Sequence, residues 1–335
     1  MGSRTMNVLV TGATGFLGHA LAVELHKQGH DVLATGRNIQ KGRTLESKGI
    51  TFEQGELSDS QKMEELCHGQ DWVFHSGALS SVWGSREDFW RCNVQGTRNI
   101  VQGALRQKVQ RLIHISSPSI YFQFAHQKDI REDTPLPPKF INTYTASKYA
   151  AEEEVMLGVK EGLESIILRP RAIYGPGDTS IFPRILRSLK SGRLPIIGNG
   201  KNWTDLSYVD NVVHACICAA QASLPHSGRA YNITDGTPVQ LWPLLHHIAE
   251  ELQLPKPYKK RSAHMIRWLA RGMEVVHRVV MPEKEPLLTE YGVGLLSCTC
   301  TLNIDRAKKE LGYSPTISTS KGMELFLSWW KEKNP

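Results

Sequence analysis

Tyr144 and Lys148, in the run Tyr144-Thr145-Ala146-Ser147-Lys148, stand four residues apart. On a helix that spacing puts a phenol and an ammonium on the same face. A phenol with a pKa near 10 is protonated at neutral pH, and a lysine charge one turn away favours its ionised form. Such a pair can exchange a proton with a substrate hydroxyl or carbonyl. It opens a helical segment that follows the strand-like run Arg111-Leu112-Ile113-His114-Ile115, which ends at Ser116-Ser117. A serine hydroxyl there can hold the same substrate oxygen.

A second chemistry-bearing stretch is Thr11-Gly12-Ala13-Thr14-Gly15-Phe16-Leu17-Gly18. It lies between the apolar run Met6–Val10, read as a buried strand, and a segment with apolar residues at helical spacing. Glycine in such a turn lets the main chain approach a ligand closely, and the helix behind it points free N–H groups at a phosphate. The spacing Gly12-x-x-Gly15-x-x-Gly18 departs from the more common G-x-G-x-x-G form. About twenty residues on, a second strand ends at Gly36-Arg37. An acidic residue in that place holds the ribose of NAD, whereas an arginine receives the 2′-phosphate of NADP. Arg37 therefore predicts NADP, with NAD as the alternative.

The elements that must position these groups follow from the pattern. Strands are predicted at Asp31–Thr35, Ile50–Glu53, Trp72–His75, Arg111–Ile115 and Ser165–Leu168, alternating with helices. That alternation predicts an α/β fold, a Rossmann-like doubly wound parallel sheet. Residues 1–177 form the dinucleotide-binding domain, with return segments at about 204–234 that include a strand at Tyr231–Thr234. Residues 178–203 and 235–335 form a smaller, mainly helical C-terminal substrate lobe. Residues 123–142, with Pro135, Pro137 and Pro138, read as a surface loop near the site.

With 335 residues, 40% of them hydrophobic and 22% charged, the chain matches ordinary globular usage. It has no apolar run long enough for a transmembrane helix, and Met1–Thr5 lacks the apolar core of a secretory signal. The six cysteines lack C-x-x-C spacing and read as reduced thiols, so a cytoplasmic protein is expected. The net charge of +7 suits an anionic cofactor or a membrane surface, but the basic residues read as scattered, and no nucleic-acid partner is assigned. His75 and His246-His247 have no carboxylate or cysteine at ligand spacing, so no metal is assigned.

Taken together, these motifs resemble the extended short-chain dehydrogenase/reductase superfamily over nearly the whole chain. The matching runs include T-G-A-T-G-F-L-G at 11–18, H-S-G-A at 75–78, N-V-Q-G-T at 93–97, I-S-S-P-S-I-Y at 115–121, Y-T-A-S-K at 144–148 and L-R-P-R-A-I-Y-G-P-G at 168–177. The resemblance implies Ser117, Tyr144 and Lys148 as the catalytic set, with Tyr144 as acid/base and Lys148 also bonding the nicotinamide ribose. Ser117 is preferred to Ser116 because it stands four residues before Tyr121. It also implies cofactor contacts from Gly12, Thr14, Gly15, Phe16, Leu17 and Arg37. Further contacts come from Ser76, Gly77, Ala78 and Pro170, with Glu56 and Leu57 flanking the adenine and Asn93 bracing the strand ends.

Within that superfamily the likeness is to the 3β-hydroxysteroid dehydrogenase group and to reductases of 2-alkyl-3-keto acids, which implies Ser81, Trp83 and Arg171 as substrate contacts. Ala172 stands where the sugar-nucleotide branch has an asparagine that holds the substrate diphosphate. The expected activity is interconversion of a secondary alcohol and a ketone on a hydrophobic small-molecule substrate. The alternatives are a nucleotide-sugar epimerase/dehydratase using the same site and a non-catalytic NADP-sensing protein. Residues 265–281 carry a broad apolar stripe interrupted by arginines, which suits a lid, a core helix of the lobe or a helix lying on a membrane surface. A homodimer is usual for the superfamily.

Overall fold

Val8, Leu9 and Val10 have no exposed surface, so the first strand must sit inside a sheet covered on both faces. The computed structural model, which describes residues 4–223 and 226–334, places it there. The reading of Met1–Thr5 falls mostly outside those residues. Seven parallel strands form the main sheet: β1 (Asn7–Thr11), β2 (Asp31–Gly36), β3 (Thr51–Gln54), β4 (Trp72–His75), β5 (Arg111–Ile115), β6 (Ser165–Pro170) and β7 (Arg229–Ile233). Their order is β7-β6-β5-β4-β1-β2-β3. The direction of winding reverses between β1 and β4, and ligands of open α/β sheets bind outside the carboxyl ends of strands at such a point. Thr11 is in register with Thr35 of β2 and His75 of β4, so the three strands end level.

The first helix, α1 (Phe16–Lys27), buries Leu17, Leu21, Ala22 and Leu25 against the sheet. Around Asn93 the helical segment comes in three pieces. A short helix, Arg86–Phe89, runs into a π-helical turn, Trp90–Gln95, and then into α2 (Gly96–Arg106). The widened turn lies beside the site, as π-bulges often do. Helix α3 (Thr143–Lys160) starts at Asn142, whose side chain accepts a hydrogen bond from Thr145 N at 2.8 Å.

A second core collects Phe182, Leu186, Trp242, Leu245 and Phe326, mostly from helices beyond residue 180. This part is less purely helical than expected. Val239–Gln240, Trp203–Thr204, Cys300–Leu302 and Gln127–Ile130 pair into a four-stranded sheet. The segment expected to be only loop, 123–142, therefore supplies an edge strand that binds the C-terminal part. Asp235 fastens the two cores together: its carboxylate accepts from Tyr208 N and Asn211 Nδ2, both at 2.7 Å, and from the hydroxyls of Tyr174 and Thr319. All six cysteines are unbridged.

Candidate active site

The glycine turn joins β1 to α1 under tight constraint. Gly12 has φ +67°, where an L side chain is strained, and a Cβ there would lie 2.6 Å from Gly77 Cα. A Cβ on Gly18 would meet Gly12 O at 2.3 Å. Helix and strand thus touch backbone to backbone, and Gly15, with Gly15 N bonded to Gly12 O at 2.8 Å, precedes the first helical residue, Phe16. Helix α1 has no acidic residue in its first turn, so its positive end is free to face a phosphate. Gly36 packs against Thr14, which sets the end of β2 beside the turn, and Arg37 follows exposed to solvent. These features fit a dinucleotide: a backbone cradle for the pyrophosphate, and a cation in place of a carboxylate at the ribose.

A hydrogen-bonded chain then links β1 to helix α3. Gly77 N donates to Thr11 Oγ1 at 3.2 Å, and Thr11 Oγ1 lies 2.8 Å from His75 Nδ1. His75 Nε2 lies 3.0 Å from Thr97 Oγ1, which donates its own proton to Asn93 O at 2.6 Å. The Thr97 proton being committed, His75 Nε2 is the donor to Thr97 and Nδ1 accepts from Thr11. Burial and the Lys148 charge push His75 down to about 3, so it is neutral, a structural link that spends both nitrogens. Asn93 continues the chain, accepting from Leu79 N at 2.7 Å and donating to Ser147 Oγ at 2.9 Å. Ser147 in turn donates to Tyr144 O at 2.8 Å. Asn93 therefore braces the loop after β4 against the first turn of α3.

Ser117, Tyr144 and Lys148 converge at the carboxyl end of β5. Ser117 follows Ile115 by two residues, and its hydroxyl accepts from Ser119 N at 3.2 Å. Burial raises the Tyr144 phenol above its usual pKa, and a hydrogen bond with Ser117 opposes that rise. Lys148, 3% exposed, donates to Ile115 O at 2.7 Å. Burial lowers its pKa to about 8 despite Glu152. The expected effect of Lys148 on the phenol is not the dominant one here: burial and Ser117 act on Tyr144.

The remaining predicted residues divide by role. Ser76 Oγ donates to Thr11 O at 2.7 Å, so it ties β4 to β1, and Gly77 and Ala78 continue from it. Leu57 wedges against Gly77 and Gly96, whereas Glu56 is exposed. Pro170 ends β6 in register with Ile233. Ser81 Oγ donates to Trp83 O at 2.7 Å, shaping the turn that presents Trp83, and Trp83 Nε1 donates to Pro282 O at 2.7 Å.

Two buried arginines flank Pro170 and differ in kind. Arg169 is neutralised, with Nε and Nη2 donating to the Glu152 carboxylate at 2.9 and 2.5 Å and Nη1 to Tyr121. Arg171 is 7% exposed, and its Nε has no partner among the described residues. It bonds with the Tyr291 hydroxyl. Asp205, the carboxyl that acts on it, forms no ion pair with it and instead accepts Leu302 N at 2.7 Å. Tyr291, which sequence reasoning missed, stacks edge-on against Phe122 at 5.0 Å between ring centres, and burial raises its phenol with Tyr144 among the groups that act on it. No local motif marks it, because it reaches the site from a helix, Glu290–Ser297, nearly 150 residues after Tyr144.

Comparison with known proteins places this geometry among relatives. A family model described as "NAD dependent epimerase/dehydratase family" matches residues 8–234. The chain is 36% identical over 335 residues to the protein YbjS of Escherichia coli K12, covering 98% of both chains. It is 32% identical over 339 residues to the 2-alkyl-3-oxoalkanoate reductase of Shewanella oneidensis, covering 97% of this chain and 86% of that one. Among solved structures, MoeE5 in complex with UDP-glucose and NAD superposes with a TM-score of 0.76 at 24% identity, covering 98% of this chain and 100% of that one, a likeness of fold.

Proposed function

The chain belongs to the NAD dependent epimerase/dehydratase family as an oxidoreductase acting on CH–OH groups, and from that premise we propose that it reduces the ketone of a hydrophobic 3-oxo acid with NADPH. The observation that carries the acid is Arg171. A guanidinium buried without a counter-ion is costly, and here it sits across Tyr291 from the proton-donating phenol. A substrate carboxylate on Arg171 offsets that cost through charge-assisted hydrogen bonds and sets the adjacent ketone against Tyr144.

Bound NADPH supplies the hydride to the carbonyl carbon. The Gly12–Gly15 turn and the start of α1 would hold its pyrophosphate, and Arg37 would hold the 2′-phosphate. Tyr144 stays protonated at neutral pH because burial raises its pKa, so it is a donor to the developing alkoxide. Ser117 hydrogen-bonds the same oxygen and orients it. Lys148 would hold the nicotinamide ribose and would place positive charge beside the phenolate. A nucleotide sugar is less favoured, since Ala172 offers no side-chain amide to a diphosphate.

The test compares a long-chain 2-alkyl-3-oxo acid with its methyl ester, following NADPH oxidation. The unaltered protein is expected to favour the acid, and Arg171→Gln to raise KM for the acid about tenfold or more while changing the ester little. Equal losses on acid and ester would remove Arg171 from this role. Silence of the unaltered protein on both, with NADPH bound, would remove the substrate class.

A further inference from the structure

The helix Ala263–Val280 turns its apolar face the wrong way for a core helix. Only Ile266 and Ala270 are buried, whereas Trp268, Leu269, Val275, Val276, Val279 and Val280 are each more than half exposed. At 100° per residue these six fall within one arc of about 140° that excludes the two buried positions. Scattered apolar residues are ordinary on a surface, but a continuous stripe marks an interaction.

Charge says what kind. Residues 256–284 contain eight basic residues and two acidic ones, in a protein whose net charge is +7. The basic residues, read above as scattered, are concentrated in this stretch of the chain. Arg267 and Arg271 share Glu290, and Lys256 pairs with Glu250. Lys259, Lys260, Arg261 and Lys284 are exposed and make no ion pair among the described residues. Arg278 lies over Trp83 at 5.7 Å. An apolar stripe with a basic margin is the pattern of a helix that lies in the surface of an anionic bilayer. Among the described residues, no helix is long and apolar enough to cross a membrane.

We propose that the Ala263–Val280 helix, with the basic segment Lys259–Arg261, docks this protein onto an anionic lipid surface, its apolar stripe in the acyl boundary. The end of that helix is fixed to the substrate-side loop through Trp83 and Pro282, so docking brings the site mouth to the lipid, where a greasy substrate is held.

The experiment is co-sedimentation of the full chain with vesicles of phosphatidylcholine, with and without about one-third phosphatidylglycerol, alongside light scattering of the protein alone. The expected result is binding to the anionic vesicles that weakens at high salt and falls about tenfold or more in Trp268→Glu/Val276→Glu/Val279→Glu. Lys259→Glu/Lys260→Glu/Arg261→Glu is expected to abolish the preference for anionic vesicles. The substituted side chains are exposed, and retained NADPH affinity and melting temperature check that both variants fold. Failure to bind either vesicle would overturn the proposal. A dimer in solution that the apolar-face variant dissociates, with no vesicle binding, would assign the stripe to a second copy instead.

Discussion

Lys148 ties the buried geometry of the site to its pH behaviour. Its ammonium is held at a low pKa of about 8 by burial, so the charge is present below that pH and lost as pH rises through it. Tyr144 moves the other way, upward from the usual phenol range, so it does not lose its proton in that window. In the free enzyme the alkaline limb therefore belongs to the lysine. kcat/KM for NADPH, which reports groups of the free enzyme, is expected to be level near neutrality and to decline above about pH 8. Lys148→Met is expected to lower the level and flatten the limb. A profile that climbs through pH 8 to 10 would contradict the assignment. The grouping of Ser117, Tyr144 and Lys148 was legible because it is local: Tyr144 and Lys148 share one helix, and Ser117 is placed by the strand before it. Arg171 was legible only through family likeness, and its lack of a counter-ion could not be read at all, since a side chain's partners come from everywhere in the chain.

At the scale of elements, the βα turn is set by contacts that leave no room for a Cβ. Gly12→Ala would place an L residue at φ +67° and a methyl 2.6 Å from Gly77 Cα, so the turn must open. The expected outcome is NADPH affinity reduced about tenfold or more, read by fluorescence titration. The end of β2 tests the proposed cofactor. Arg37→Asp replaces a cation with an anion where the proposed reading puts the 2′-phosphate, and is expected to cost NADPH binding about tenfold to a hundredfold while sparing or improving NADH. An unchanged preference would place the 2′-phosphate elsewhere. Strand and helix positions were largely readable, because buried apolar runs and glycine turns are local signals. The π-helical turn at Trp90–Gln95 and the edge strand at Gln127–Ile130 were not. The first holds Asn93, whose partners Leu79 and Ser147 lie in other elements, and the second pairs with the distant strand Cys300–Leu302.

For the whole molecule, the question is what keeps the two cores in one arrangement. Asp235 joins the segment after β7 to Tyr208, Asn211, Tyr174 and Thr319, which belong to three separate stretches. Asp235→Ala leaves those buried donors without their acceptor, and unfolding measurements are expected to show a loss of about 3 kcal/mol or more. Such a link between residues far apart in sequence carries no periodicity and no motif. The account as a whole makes Tyr144 the group that delivers the proton while the cofactor delivers the hydride. Its most direct test is single-turnover oxidation of NADPH with a long-chain 2-alkyl-3-oxo acid, comparing the unaltered protein with Tyr144→Phe, whose NADPH affinity is measured separately. The account predicts that the variant binds NADPH within about twofold of normal and transfers hydride about a hundredfold or more slowly. Equal rates in the two proteins would contradict it.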